Sequence, residues 1–318
     1  MSGFADRLIE RAQRIQSRVI VGLDPMLEAF PAHLQAQLRA HPTEEQLEEV
    51  IVAFNRVVIE ATLADAVAYK PQAAFYEQYG LAGMRALLRT IGLLHDRGQI
   101  VIMDAKRNDV AHTAGAYATA WLAPLHPWFA TPNPWRVEAI TLNGYLGSDG
   151  IRPFQEANAD AGLFILVKTS NPSSGELQDQ YLWAEEGGKG GTVAEKMAGL
   201  VHQWGQANDS WHGFSNVGMV VGATYPAVTH RLRQAAPRAL FLMPGIGVQG
   251  GSLEAIVAGA GAGFVGAYAA SSRGLLYPFL PEALAGADWP DRAAGSITEA
   301  ARSLRQAIQE KLKKAGMG

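Results

Sequence analysis

The 318-residue sequence predicts a TIM (β/α)8 barrel, a single domain with additional helices, on three observations. Eight short, apolar, β-rich runs recur along the chain, and the segments between them carry helical spacing, the pattern of repeated βα units around a parallel sheet. Polar residues stand where those runs end. A glycine-rich turn follows the seventh run, where barrels of this kind commonly build a phosphate site.

The first run, 19–23, ends in Asp24-Pro25. Leu47, Val50, Ile51, Phe54, Val58 and Ile59 recur at intervals of three and four, so 44–64 is predicted to be a helix. The second run, 66–69, ends in Lys70-Pro71, and the third, 100–103, leads directly into Asp104-Ala105-Lys106-Arg107-Asn108-Asp109. The fourth, 139–142, ends in Asn143, and the fifth, 163–167, precedes Lys168-Thr169-Ser170-Asn171. The sixth is 217–221. The seventh, 240–243, ends in Pro244-Gly245, and the eighth, 264–267, leads to Ser272-Arg273. Segments 28–48 and 174–215 exceed this repeat and read as insertions, the second facing solvent. Residues 297–314 read as an amphipathic helix packed on the barrel exterior, its basic last turn matched to the helix dipole.

Composition removes several function classes. With 27 Lys+Arg against 30 Asp+Glu the net charge is −3, and no long block of like charge offers a field for nucleic acid. The absence of cysteine excludes a disulfide framework, thiolate metal sites and a cysteine nucleophile. The N-terminus has no apolar signal core and no apolar run is long enough to span a bilayer, so a cytoplasmic protein is expected, without membrane partners.

The chemistry concentrates after the third run. Residues two apart on a strand share a face, so Asp104 and Lys106 are expected to project together, an acid beside an ammonium. Gly245 to Gly250 satisfy G-x-G-x-x-G, but late in the chain and with no acid between Glu254 and Glu282 to hold a ribose, so a dinucleotide site is disfavoured. Free backbone N–H groups there suit an anion, and Arg273, beside Ser272, supplies a planar charged fork for phosphate oxygens. The eight histidines include no His-x-His or His-x-x-x-His pair and the acids are flanked by lysines, so neither a metal nor any other cofactor is expected.

Taken together, Val21-Gly22-Leu23-Asp24-Pro25, Ala68-Tyr69-Lys70-Pro71-Gln72, the Asp104-to-Asp109 stretch, Val167-Lys168-Thr169-Ser170-Asn171-Pro172, Val221-Gly222-Ala223-Thr224 and Pro244-Gly245-Ile246-Gly247-Val248-Gln249-Gly250-Gly251 resemble the orotidine 5′-phosphate decarboxylase family, specifically its bacterial branch with an Asp-Ala-Lys-Arg-x-Asp motif. The resemblance covers about residues 10 to 280. Asn108 stands where that motif has glycine, and Val110-Ala111-His112-Thr113 replaces Ile-Gly-Ser-Thr. Asparagine tolerates a left-handed backbone next best after glycine, so the turn is expected to survive, with His112 on a helix face.

The resemblance implies decarboxylation of orotidine 5′-phosphate to UMP and CO2 without a cofactor. It implies that Lys70, Asp104, Lys106 and Asp109 form an alternating charged array and that Lys106 protonates C6. Asp24 and Lys70 would bind ribose hydroxyls, Ser170 the pyrimidine amide edge, and Gln249 and Arg273 the 5′-phosphate. Asp109 and Thr113 would reach into a neighbouring subunit's site, making the functional unit a homodimer. Two alternatives stand beside it: a magnesium-dependent sugar-phosphate lyase of a related barrel family, and a catalytically silent nucleotide-binding barrel.

Overall fold

A computed structural model describes residues 3–39, 41–124, 132–183, 189–206, 210–246, 251–261 and 265–316. The strands are β1 (Val19–Leu23), β2 (Ala66–Pro71), β3 (Ile102–Arg107), β4 (Ala139–Leu142), β5 (Gly162–Lys168), β6 (Tyr181–Trp183), β7 (Lys189–Thr192), β8 (Ser215–Val221), β9 (Ala239–Pro244) and β10 (Ala267–Ser271). The helices are α1 (Phe4–Ile15), α2 (Ala32–Leu38), α3 (Glu44–Thr62), α4 (Ala74–Glu77), α5 (Gly80–His95), α6 (Ala111–Leu122), α7 (Arg152–Ala157), α8 (Val193–Trp204), α9 (Pro226–Ala235), α10 (Leu253–Gly259), α11 (Arg273–Leu276) and α12 (Trp289–Lys314).

Eight parallel strands pair in the order β2-β1-β10-β9-β8-β5-β4-β3. The ring closes through parallel bridges Tyr69↔Val101 and Gln72↔Asp104, so the barrel predicted from the repeat is the barrel observed. Strand alternation sorts the core into two layers. Ile20, Ile102, Phe164, Leu240, Leu242 and Tyr268 point inward and form one buried cluster with Phe4, Leu8 and Ile9 of α1, which plugs one end of the barrel. The Phe4 ring meets Phe164 edge-on, with centroids 5.7 Å apart. Val21, Met103, Ile140, Ile165, Met219 and Phe241 point outward into a second layer beneath the surrounding helices.

The predicted helix over 44–64 is α3, begun by a capping box in which Thr43 Oγ1 accepts from Gln46 N and Gln46 Oε1 accepts from Thr43 N. Several boundaries differ from expectation. β3 does not stop at residue 103 but continues through the charged residues to Arg107, because its backbone still pairs: Ala73 N donates to Asp104 O and Asn143 N to Arg107 O. The eighth barrel strand is Ala267–Ser271 rather than 264–267, of which residue 264 lies outside the described residues. Its run of small residues carries a weak apolar signal, and pairing with β1 and β9 sets its limits.

Within 174–215, the β6–β7 hairpin is the added structure, whereas α8 buries Ala194, Ala198 and Val201 and packs on β5 and β8 as an ordinary outer-layer helix. The C-terminal helix begins at Trp289, eight residues before the predicted 297, since apolar Trp289, Ala293 and Ile297 extend the buried stripe. Its basic last turn holds Lys311, Lys313 and Lys314. No helix among the described residues is long and apolar enough to cross a membrane.

Candidate active site

The C-terminal strand ends surround a cavity of about 500 Å³. Its lining includes Asp24 after β1, Lys70 on β2, Asp104 and Lys106 on β3, Ser170 after β5, and Ser272 and Arg273 after β10. Seven of the ten residues predicted to serve the site therefore share one space. Leu166, Val220 and Leu242 supply an apolar part of the wall.

At the centre lies a chain of ion pairs. Asp104 Oδ2 accepts from Lys70 Nζ at 2.6 Å, and Oδ1 accepts from Lys106 Nζ at 2.6 Å. Burial alone would raise the pKa of Asp104, but the two ammonium groups and their hydrogen bonds outweigh it and hold the carboxyl well below the usual carboxylate range. Burial likewise works to lower the pKa of Lys70, and Asp104 and Asp24 reverse that into a net rise. Asp104 is thus an anion and Lys70 a cation in a nearly dry setting. Asp24 has the opposite balance: desolvation pushes its pKa up despite Lys70 and a hydrogen bond from Ser272, and its Oδ1 has no protein partner. A hydroxyl donor from a ligand would satisfy that oxygen.

Asp104 and Lys106 meet as period-two spacing led us to expect, but not through regular alternation. The pairing register of β3 and β4 shifts between Met103 and Arg107, and Lys106 has φ of 48°, in the left-handed region. The strained residue of the turn is therefore Lys106 itself rather than Asn108, which does not have positive φ. A lysine there costs about 1–3 kcal/mol unless its surroundings hold it.

Two motif glycines are explained by close approach. A Cβ on Gly22 would lie 1.9 Å from Ser272 Oγ, and one on Gly222 would lie 2.9 Å from Ser170 N. Each glycine lets a strand end press against a pocket residue. Tyr277 braces the turn after β1, donating to Asp24 O at 2.9 Å and accepting from Met26 N at 2.9 Å.

Other expected members stand apart. Asp109 is half-buried outside the cavity, its Oδ1 accepting from Val110 N at 2.8 Å, so it does not join the charged array within this chain. Thr113 lies on α6, also outside the cavity, and His112 is exposed on that helix. Gln249 and the middle of the glycine-rich turn lie outside the described residues. At its ends, Gly245 has φ of 96°, and Gly251 N donates to Gly245 O at 3.0 Å. Lys168 turns away from the cavity and is buried, its ammonium on Asp179 Oδ1 at 2.8 Å and Ser174 Oγ at 3.1 Å. Among the described residues no three His, Asp or Glu side chains gather as a metal-ligand set.

One participant, Thr141, carried no signal in the sequence. It sits inside the run Ala-Ile-Thr-Leu rather than at its polar end, yet it lines the cavity and donates to Asp104 Oδ1 at 2.9 Å.

Comparison with known proteins adds an independent line. Residues 17–276 match the family model described as orotidine 5′-phosphate decarboxylase / HUMPS family. A protein of Rhodopirellula baltica named orotidine 5′-phosphate decarboxylase is 40% identical over 284 residues, 87% of this chain and 89% of that one. Its namesake from Roseiflexus castenholzii is 39% identical over 98% of both chains. The solved structure of Leishmania donovani OMP decarboxylase superposes with a TM-score of 0.67 at 34% identity, over 95% of this chain and 99% of that one.

Proposed function

This chain belongs to the orotidine 5′-phosphate decarboxylase / HUMPS family and decarboxylates orotidine 5′-phosphate to UMP in pyrimidine biosynthesis, and we propose that it does so by direct loss of CO2, with Lys106 stabilising and then protonating the C6 carbanion. The observation that carries this reading is the Lys70–Asp104–Lys106 ion-pair chain opening into the cavity that Ser170, Ser272 and Arg273 also line.

Breaking the C6–carboxylate bond leaves the electron pair in the plane of the pyrimidine, where the ring π system cannot accept it. The protein must stabilise that charge. An ammonium at Lys106 Nζ does so electrostatically and then transfers its proton to C6, giving UMP and a neutral amine that solvent reprotonates. The apolar wall formed by Leu166, Val220 and Leu242 strengthens this attraction by excluding water from one side. Because Asp104 and Lys70 are already ordered against each other, little reorganisation accompanies the reaction.

Asp104 also faces the substrate carboxylate. At about 4 Å and an effective dielectric of about 20, two like charges repel by roughly 4 kcal/mol, relieved as CO2 leaves. Enzymatic accelerations range up to about 10¹⁷-fold, or about 23 kcal/mol, so a repulsion of this size supplies a minor share of a large one. Attraction between the ammonium and the developing carbanion carries more.

Asp24 and Lys70 bind the ribose hydroxyls, a role supported by the unpartnered Oδ1 of Asp24. Ser170 holds the amide edge of the base, and Ser272, Arg273 and Gln249 hold the phosphate. The position of Asp109 and Thr113 outside their own cavity supports a homodimer in which each chain completes the other's charged array. The same reading makes the protein a cytoplasmic enzyme that needs no cofactor.

Incubating the purified protein with orotidine 5′-phosphate in EDTA, while following loss of substrate absorbance and appearance of UMP, tests the proposal. UMP formation that persists in EDTA is expected. Activity that vanishes in EDTA and returns with magnesium would instead favour a metal-assisted lyase.

A further inference from the structure

We infer that Thr141 is a positioning residue for the Asp104–Lys106 pair, locking both the strained backbone of Lys106 and the carboxylate orientation of Asp104 through one hydroxyl. The inference rests on the reading of Lys106 as the proton donor. Thr141 lies on β4, beside β3, and is 1% exposed. Its Oγ1 accepts from Lys106 N at 3.0 Å and donates to Asp104 Oδ1 at 2.9 Å.

Those two bonds meet where β3 is irregular. The register slips between Met103 and Arg107, so the amide of Lys106 has no strand partner and its φ is 48°. An amide turned out of the strand ladder in that conformation needs an acceptor, and Thr141 Oγ1 supplies one. The same oxygen directs its proton to Asp104, so its one donor and one of its two lone pairs are used within the protein. Asp104 Oδ1 therefore receives Lys106 Nζ and the Thr141 hydroxyl, while Oδ2 receives Lys70 Nζ. Without the hydroxyl, the Lys106 turn can relax toward an ordinary strand geometry, and the carboxylate can rotate toward either ammonium. Both changes move Nζ relative to C6. Displacements near 1 Å in such arrangements cost on the order of 100-fold in rate.

The test compares three proteins in the decarboxylation assay, with circular dichroism and thermal melting to verify folding. Thr141→Val preserves shape but removes both hydrogen bonds. Its kcat is expected to fall about 10- to 100-fold, while KM stays within about 3-fold because the residues assigned to ribose, base and phosphate are untouched. Thr141→Ser restores the hydroxyl without the methyl group, and is expected to recover most of that loss. A T141V kcat within about 3-fold of wild type overturns the assignment, as does a T141S that is as slow as T141V. If T141V fails to fold, T141S decides: a kcat lowered more than about 10-fold in a folded T141S overturns the role of the hydroxyl. Wild-type protein that makes no UMP overturns the underlying reading instead, so the two failures are distinguishable.

Discussion

Replacing Asp104 with asparagine should destabilise the protein in a way that depends on pH. Lys70 and Asp104 form an ion pair at 2.6 Å with side chains only 7% and 10% exposed. Asparagine keeps the shape but offers one acceptor oxygen where three donors converge, and it leaves the buried ammonium facing an amide. Removing one partner of a buried pair costs about 3–5 kcal/mol, and the open cavity beside Lys70 places D104N near the lower end, about 3 kcal/mol at pH 7. At about 2 °C per kcal/mol for a large domain, melting falls by about 6 °C.

The direction of the pH dependence follows from the depressed pKa of Asp104. A carboxylate held below its unfolded value contributes stability above that value, about 3.9, and loses it as pH falls toward the folded pKa. The difference in stability between wild type and D104N should therefore be flat from about pH 5 to 7 and shrink below about pH 4. Differential scanning fluorimetry and urea unfolding across pH 3 to 7 measure it. A D104N protein that melts within 1 °C of wild type at pH 7, or a gap that stays constant down to pH 3, would refute the argument that this pair is held by charge.

Three further outcomes are expected. Lys106→Ala should abolish turnover while UMP still binds by calorimetry, and mixing inactive K106A with inactive Asp109→Ala should restore activity, since a hybrid dimer holds one site free of both changes; mixtures that stay inactive argue against shared sites. Gly222→Ala drives a Cβ to 2.9 Å from Ser170 N, so KM should rise about 3- to 10-fold, the worth of one weakened hydrogen bond, and an unchanged KM would remove Ser170 from the base edge. Arg273→Ala should lower kcat/KM about 10- to 100-fold, with kcat itself falling because phosphate binding energy helps organise the reacting end; a loss confined to KM would show that the phosphate contributes affinity alone.

Much of the site was legible because its residues sit at strand ends. Asp24, Lys70, Asp104, Ser170 and Arg273 follow apolar runs, and a parallel barrel brings all such ends to one rim whatever the intervening distance in sequence. The role proposed for Asp109 and Thr113 in a neighbouring subunit came from the family resemblance alone, because both lie outside the cavity of their own chain and local pattern gives them no place in the site. Lys168 shows the opposite failure. It too follows an apolar run, and alternation from Phe164 and Leu166 would put it on the inner face, yet the register of β5 against β8 slips between Leu166 and Lys168 and its ammonium turns away to Asp179 and Ser174.

What the sequence determined by itself was the barrel, through eight apolar runs with intervening helices, and the identity of the charges on its rim. Period and polarity are local quantities, written in consecutive residues. What only the tertiary structure decided was how those charges are held. The left-handed Lys106, the extension of β3 to Arg107 and the Thr141 hydroxyl between Lys106 and Asp104 all arise from pairing with β4, a strand that begins 32 residues after β3 ends. Long-range register chooses which amide lacks a strand partner and which side chain supplies it, and no local pattern encodes that choice.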